Sequence, residues 1–238
     1  MKKLNVYLIV ALSLLFTGFE HSHDFITDKF IAIEVDPKIQ NLEFYWKNDN
    51  GQIIKNFNNL KTIVEGKGEQ LLFAMNGGMF KKDYSPQGLF IQNFEIKSSL
   101  DTLNGNGNFY LKPNGIFFIT KDNKPYICNT AQYTANTDVK FATQSGPMLI
   151  IDGKIHEAFQ QNSKNLNIRN GVGILPDNKV VFAMSKQEIN FYDFAKFFQD
   201  KGCKNALYLD GFVSRVYFPK QNWTQLDGNF GVIIGVTK

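Results

Sequence analysis

Apolar residues recur in short runs along this chain, separated by turn-forming residues. Phe30-Ile31-Ala32-Ile33 predicts an opening strand, and Leu42, Phe44 and Trp46 alternate with polar neighbours as a half-buried strand does. Asn48-Asp49-Asn50-Gly51 closes that strand with turn chemistry. Phe57, Leu60, Ile63 and Val64 then recur at helical spacing, with Gly66 and Gly68 as the exit, so a short helix precedes the apolar strand Leu71 to Met75. That strand runs into Asn76-Gly77-Gly78.

The middle of the chain predicts further strands at Gly88 to Gln92, Phe109 to Lys112, Ile116 to Thr120, Met148 to Ile151 and Val172 to Leu175. Pro113-Asn114-Gly115 and Asp177-Asn178 have the chemistry of hairpin links, which favours antiparallel pairing there. A second helix starts at Asn190 as N-cap, with Asp193 three residues on. Phe191, Phe194, Ala195 and Phe198 share one of its faces, and Gly202 stands where a left-handed residue ends a helix. The strand Ala206 to Leu209 follows and delivers Asp210-Gly211, repeating the earlier order of helix, glycine, strand and polar-glycine pair. The fold class expected is α+β: a mixed, largely antiparallel sheet with a few packed helices, in a single domain.

Composition agrees with one well-buried core. The 238 residues are 43% hydrophobic, no Pro/Ser-rich linker divides them, and the 23 phenylalanines read as core and inter-strand packing. Residues 1–18 have a basic start at Lys2 and Lys3, an apolar run from Val6 to Phe16 and a small-residue end at Thr17-Gly18. This is the pattern of a secretory signal, too short for the roughly 20 residues that span a bilayer. The expectation is an exported protein, periplasmic or secreted, with the signal removed or kept as an uncleaved anchor. A mature chain would have no membrane span unless the signal stays. Net charge is +4, from 26 basic and 22 acidic residues, and the lysines are scattered, so no nucleic-acid partner is expected. Oligomeric state stays open.

The chemistry-bearing residues each admit two readings. Asp210 ends four apolar residues, which suits a nucleophile, base or electrostatic stabiliser, or an acid capping its own turn. Asn76 reads as a ligand for a sugar hydroxyl or as the closure of a turn. Arg169 and Arg215 are the chain's two arginines, suited to bidentate phosphate contact or to structural ion pairs. Gln144-Ser145-Gly146-Pro147 offers donors that cradle an anion or a kink before a strand. Cys128 and Cys203, the two cysteines, form a disulfide or serve as small buried hydrophobes. His156 is the one histidine outside the first 23 residues, which disfavours a serine or cysteine triad. No metal or nucleotide-binding motif occurs, so no cofactor is expected.

Six segments, taken together, resemble the phosphodiester glycosidase family: Asn76-Gly77-Gly78-Met79-Phe80, Pro86-Gln87-Gly88-Leu89, Lys112 to Phe117, Gln144 to Leu149, Arg169-Asn170-Gly171-Val172-Gly173 and Tyr208-Leu209-Asp210-Gly211. The resemblance runs in the family's order over roughly residues 30–238. It implies a hydrolase that cleaves the glycosidic bond of a sugar-1-phosphodiester in an exported or cell-envelope glycan or glycolipid, with site roles at Asn76, Gly77, Gly78, Ser145, Gly146, Arg169, Asp210 and Gly211. In that reading Asp210 is nucleophile or base, Arg169 and the glycine amides hold the phosphate, and Asn76 meets a sugar hydroxyl. Gln144 and Arg215 join the substrate-binding set. Asp83, Asp193 and Glu188 are the candidates for a second carboxylate. Where many relatives carry a Gly/Ser-rich stretch after the aspartate-glycine pair, this chain has Phe212-Val213-Ser214-Arg215-Val216, which reshapes the pocket there. The alternatives are an exported polysaccharide-binding protein without turnover and a phosphodiesterase that breaks the P–O bond.

Overall fold

The computed structural model describes residues 29–210 and 212–238. Residues 1–28, which include the segment expected to be a signal, and Gly211 lie outside the described residues. Strands are numbered here in chain order. One sheet of six strands runs β1 (Phe30–Val35), β12 (Val180–Ser185), β11 (Asn170–Ile174), β13 (Ala206–Asp210), β9 (Met148–Ile151), β10 (Lys154–Ile155). A second, of five, runs β15 (Trp223–Thr224), β14 (Val216–Phe218), β3 (Leu71–Gly78), β16 (Val232–Thr237), β2 (Asn41–Tyr45). The third runs β5 (Glu95–Ser98), β4 (Phe90–Gln92), β8 (Val139–Ser145), β6 (Gly115–Thr120), β7 (Pro125–Asn129). Two α-helices, α1 (Phe57–Gly66) and α2 (Phe191–Asp200), complete the described α-structure.

The three sheets enclose one apolar centre. Phe44 and Phe73 from the second sheet, Phe117 and Phe141 from the third, and Phe182 from the first all belong to the same buried cluster. Phe44 lies 5.4 Å from Phe117 and 5.4 Å from Phe141 between ring centroids, and Phe182 lies 5.6 Å from Phe73. Side chains alternate between this centre and an outer layer. In β12, Val180, Phe182 and Met184 point inward, while Val181 and Ala183 pack with α2. In β13, Leu207 and Leu209 face the centre, and Ala206 and Tyr208 face α2. Helix α1 covers the second sheet in the same way, with Phe57, Leu60 and Val64 against Leu71, Ala74 and Ile233. A strand buried on both faces needs apolar residues at every position, so these strands are continuous apolar runs in an antiparallel setting.

Both helices form where the periodicity predicts. The Asn56 side chain caps α1 by accepting from Asn59 N, and Asn190 caps α2 by accepting from Asp193 N at 2.8 Å while its amide donates to the Asp193 carboxylate at 2.9 Å. Gly202 sits at φ 77°, past the end of α2.

Other expectations change. The molecule is richer in β-structure than α+β suggests, and every described strand pairing is antiparallel, so the mixed sheet is replaced by three antiparallel ones. In the two helix-glycine-strand units each helix covers the outer face of a sheet. Asp177-Asn178 does link β11 to β12 as a hairpin, with Asn178 at φ 65°. Pro113-Asn114-Gly115 links no hairpin. Residues Asn108–Tyr110 form a 3-10 turn rather than a strand, and the buried Asn114 side chain holds that turn by donating to Phe109 O at 2.9 Å. Strand β3 continues through Asn76 and Gly77 to Gly78, because β16 pairs with it to that point. Cys128 and Cys203 are free thiols, and burial pushes them up to about 11 and about 12 respectively.

Phe44→Ala should destabilise the fold by about 3–5 kcal/mol, since the central layer cannot collapse around the void without moving three sheets. Urea unfolding followed by tryptophan emission measures it.

Candidate functional site

One group of buried polar residues lies where strand ends of all three sheets meet. Asn76 comes from β3, Ser145 from the end of β8, Asn170 from the start of β11 and Asp210 from the end of β13. All four are buried, Asp210 retaining 7% exposure. Asn170 joins them. Its Nδ2 donates to Asn76 O and to Asn76 Oδ1, both at 2.9 Å, and its Oδ1 accepts from Asp210 N at 2.9 Å. Arg215 N also donates to Asn76 Oδ1, at 3.0 Å.

These bonds fix the orientation of both amides, because a main-chain N–H on each side demands an oxygen there. The Asn76 Nδ2 must therefore point away from Asn170 and Arg215. It is buried and has no hydrogen-bond partner. An unmet buried donor costs on the order of 1–3 kcal/mol, a cost a fold offsets elsewhere or a ligand removes.

Asp210 is held from both sides. Its main-chain O accepts from Ser214 Oγ at 2.6 Å, and its Oδ1 accepts from Phe212 N at 3.0 Å in an Asx-type turn. The preceding carbonyl, Leu209 O, accepts from Ser145 Oγ at 2.8 Å, which ties the third sheet to the first beside the carboxylate. Phe212 projects into solvent next to Asp210, 88% exposed. Arg215 is partly exposed, with Nε 3.3 Å from Asp227 Oδ2 and Nη1 donating to Ser214 O. Lys112 Nζ lies 3.4 Å from Asn114 Oδ1, and the Asn114 Cβ abuts Gly146. Arg215, whose N–H bonds Asn76, is thus a partly exposed cation paired with Asp227, and Lys112 is an exposed one near the Gly146 turn.

Arg169 and Gln144 sit elsewhere than at a ligand surface. Arg169 is fully buried, and its guanidinium makes four hydrogen bonds: to Ile189 O, the Tyr208 hydroxyl, Asn165 O and Asn165 Oδ1. It lies 3.6 Å from the centroid of the Phe191 ring. Its donors are spent within the protein in this structure, and one of them holds the hydroxyl of Tyr208, two residues before Asp210. All those partners are neutral, so a positive charge stands in low dielectric behind the site, and the field it adds favours an anion there. The Gln144 side chain is likewise spent inside the protein. Its Oε1 accepts from Leu89 N and Asp101 N, and its Nε2 donates to Asp101 O and Thr130 Oγ1.

Gly77, Gly78 and Gly146 are glycines for packing. A Cβ at Gly77 would meet Ile234 Cγ1 at 2.5 Å, one at Gly78 would meet Thr143 Oγ1 at 2.4 Å, and one at Gly146 would meet Asn114 Cβ at 2.6 Å. The candidate second carboxylates are occupied locally or lie apart: Asp83 accepts from Ser85, which holds its carboxyl below the usual range, Asp193 completes the α2 cap, and Glu188 is exposed beside α2.

Sequence reasoning passed over Asn170, which stood inside a recognised segment. The available signal was its place at the head of the strand run Gly171 to Ile174, matching Asn76 and Asp210 at their own strand ends. His156, the histidine on which a serine or cysteine triad would have had to rest, is bonded within the protein. Its Nδ1 accepts from Ala158 N and its Nε2 donates to Lys112 O at 3.1 Å, and burial lowers its pKa. Its ring stacks on Phe159, which stacks on Phe191 beneath Arg169.

A family model described as phosphodiester glycosidase matches residues 69–231. The Escherichia coli (strain K12) protein YigE is 37% identical over 187 residues, covering 78% of this chain and 73% of YigE. Among solved structures, a hypothetical protein from Synechocystis superposes with a TM-score of 0.57 at 13% identity, over 87% of this chain and 59% of that one. The catalytic domain of zebrafish N-acetylglucosamine-1-phosphodiester alpha-N-acetylglucosaminidase, auto-inhibited by its pro-peptide, superposes with a TM-score of 0.54 at 14% identity, over 91% of this chain and 94% of that one. These two likenesses are of fold.

Asn170→Ala removes the partner of Asp210 N and of Asn76 O together, and should cost about 1–3 kcal/mol for each group left unsatisfied, read from urea unfolding. Protonation of His156 gives the fold an acid-sensitive element. Because its folded pKa lies below the unfolded value of 6.5, the unfolded chain binds the proton first, so stability is full above pH 6.5 and falls as pH drops through and below it. Unfolding midpoints measured across that interval should show this slope, reduced in His156→Gln.

Proposed function

Because this chain belongs to the phosphodiester glycosidase family, we propose that it hydrolyses the glycosidic C–O bond of a sugar-1-phosphodiester, releasing free sugar and a phosphate monoester. The observation that carries this reading is the unmet Asn76 Nδ2, buried and hydrogen-bonded through its own oxygen to the residue that holds Asp210. A sugar hydroxyl or ring substituent entering there supplies the missing acceptor.

The bond between C1 and the bridging oxygen breaks with its electron pair leaving on the phosphate, while the oxygen of water becomes bonded to C1 and its proton is taken up. A phosphate monoester is a weaker base than a sugar alkoxide, so departure needs less general-acid help, and one well-held carboxylate is enough to support an oxocarbenium-like transition state. Asp210 has that role, as nucleophile or as base toward water. The anion is favoured by Arg215 and Lys112 at the surface and by the buried charge of Arg169 behind it. Export is part of the proposal: the apolar segment from Val6 to Phe16 after Lys2 and Lys3 supports a periplasmic or secreted location and a cell-envelope glycan or glycolipid as substrate.

Purified protein should release free sugar from members of a panel of sugar-1-phosphodiesters. Asp210→Asn should lower kcat by at least about a hundredfold with the fold retained, and Asn76→Ala should lower kcat/KM by about tenfold or more. Turnover by Asp210→Asn within a few-fold of the wild type overturns the assignment of the carboxylate. In water enriched with heavy oxygen the label belongs in the sugar, and label in the phosphate instead identifies P–O cleavage.

A further inference from the structure

The loops around the Asn170 cluster carry apolar side chains that the core does not use. Phe212 and Leu103 are 88% and 68% exposed, and Leu111 and Leu166 are exposed as well. Each lies on a segment tied to the cluster. Phe212 follows Asp210 by two residues, and Leu111 leads into Gly115, which pairs with Ser145. The Gln144 side chain bonds both main-chain groups of Asp101, two residues before Leu103. Leu166 comes just before Ile168, whose carbonyl accepts from Ser214 Oγ at 3.2 Å. These side chains are not on loose ends, because all four main-chain N–H groups are bonded. Phe212 N and Leu103 N donate to the carboxylates of Asp210 and Asp101, Leu111 N to Asn108 O and Leu166 N to Lys164 O. Exposed lysines accompany two of them, Lys112 beside Leu111 and Lys164 near Leu166.

The N-terminal segment joins the fold at this same end. Ile31 faces Met184 across β1 and β12, and Met184 faces Asn170 across β12 and β11, so β1 starts level with Asn170. Lys29 therefore leads off on the side of the site, and Val35 ends β1 on the opposite side. Twelve residues separate Lys29 from the apolar run Val6 to Phe16, a reach of at most about 40 Å when fully extended.

We propose that the site end of this protein docks on a lipid bilayer through Leu103, Leu111, Leu166 and Phe212. Apolar side chains held in water enter the acyl boundary of a bilayer, and lysines beside them meet lipid phosphates. A protein partner would account for the side chains but not for an apolar run that departs from the same end. Resting on the hydrolysis proposed above, the docking names the substrate class: a sugar-1-phosphodiester whose second ester is a membrane lipid, with the lipid kept in its leaflet while the sugar reaches Asp210.

The test mixes the full chain with vesicles of phosphatidylglycerol and phosphatidylcholine and follows amide hydrogen exchange segment by segment, with vesicles and without. No turnover is read, so the result is independent of whether the hydrolysis is correct. Vesicles should slow exchange in residues 101–112, 164–168 and 212–215. They should leave the hairpin of β4 and β5 unchanged, although Phe94 and Ile96 are exposed there, because that hairpin bonds to Lys140 and points away from Ser145. Leu103→Ser combined with Leu166→Ser should abolish the slowing in the three loop segments. If that double variant does not fold, Leu103→Ser and Phe212→Ser made singly should each weaken the vesicle contact of these loops by about tenfold in a vesicle titration. Slowing confined to residues 1–28 overturns the proposal, since the apolar run alone would then hold the vesicle. So does slowing shared equally by the β4 and β5 hairpin, or slowing that the substitutions leave unchanged.

Discussion

Two sheets are locked together through a single carboxamide. Asn170 begins β11 in the first sheet and bonds to Asn76 of β3 in the second, while its oxygen takes the N–H of Asp210 on the neighbouring strand. With those three bonds made, the amide of Asn76 has one allowed orientation, and its unpaired donor and the Asp210 carboxylate are consequences of the same constraint. An apolar residue at position 170 would leave main-chain groups unpaired in a buried place, and a longer polar one would push the sheets apart where the glycines of β3 already touch β16 and β8.

Around that junction the rest of the molecule supplies rigidity. The central phenylalanine layer draws side chains from three sheets, so none of the sheets can shift without disturbing the other two. On the outer side of the first sheet a stack runs from His156 through Phe159 and Phe191 to the Arg169 guanidinium. One end of the stack holds Lys112 O, near the Gly146 turn, and the other holds Tyr208, near Asp210. The segments that flank the site are thus braced from behind by one continuous set of contacts. Burying a cation among carbonyls and aromatic faces is expensive, and the arrangement keeps a positive field beside a carboxylate that is proposed to act on a phosphodiester.

Parts of this were legible in the residues themselves. The caps and faces of α1 and α2 were readable because they depend on contacts three and four residues apart. Some residues of the junction were also readable as types: Asn76 and Asp210 stand out as polar side chains at the ends of apolar runs, and Ser145 was named from the donors of the Gln144-Ser145-Gly146-Pro147 turn. Arg169, Gln144 and the glycines were singled out correctly as unusual but given ligand contacts. In the structure their surroundings are internal: a bonded guanidinium, a bonded carboxamide and three glycines that closely approach neighbouring residues.

The sequence by itself determined where helices and many strands lie, how their ends are capped and which polar residues end apolar strands, because each of these is set by neighbours within a few positions. Only the tertiary structure decided that all the described pairings are antiparallel, that strands β8 and β16, absent from the sequence reading, run through the interior of the third and second sheets, and that Asn170 is the residue on which the site turns. Those outcomes depend on contacts between residues as far apart as Asn76 and Asn170, whose pairing is chosen by which buried groups can satisfy one another once the sheets have closed around the core.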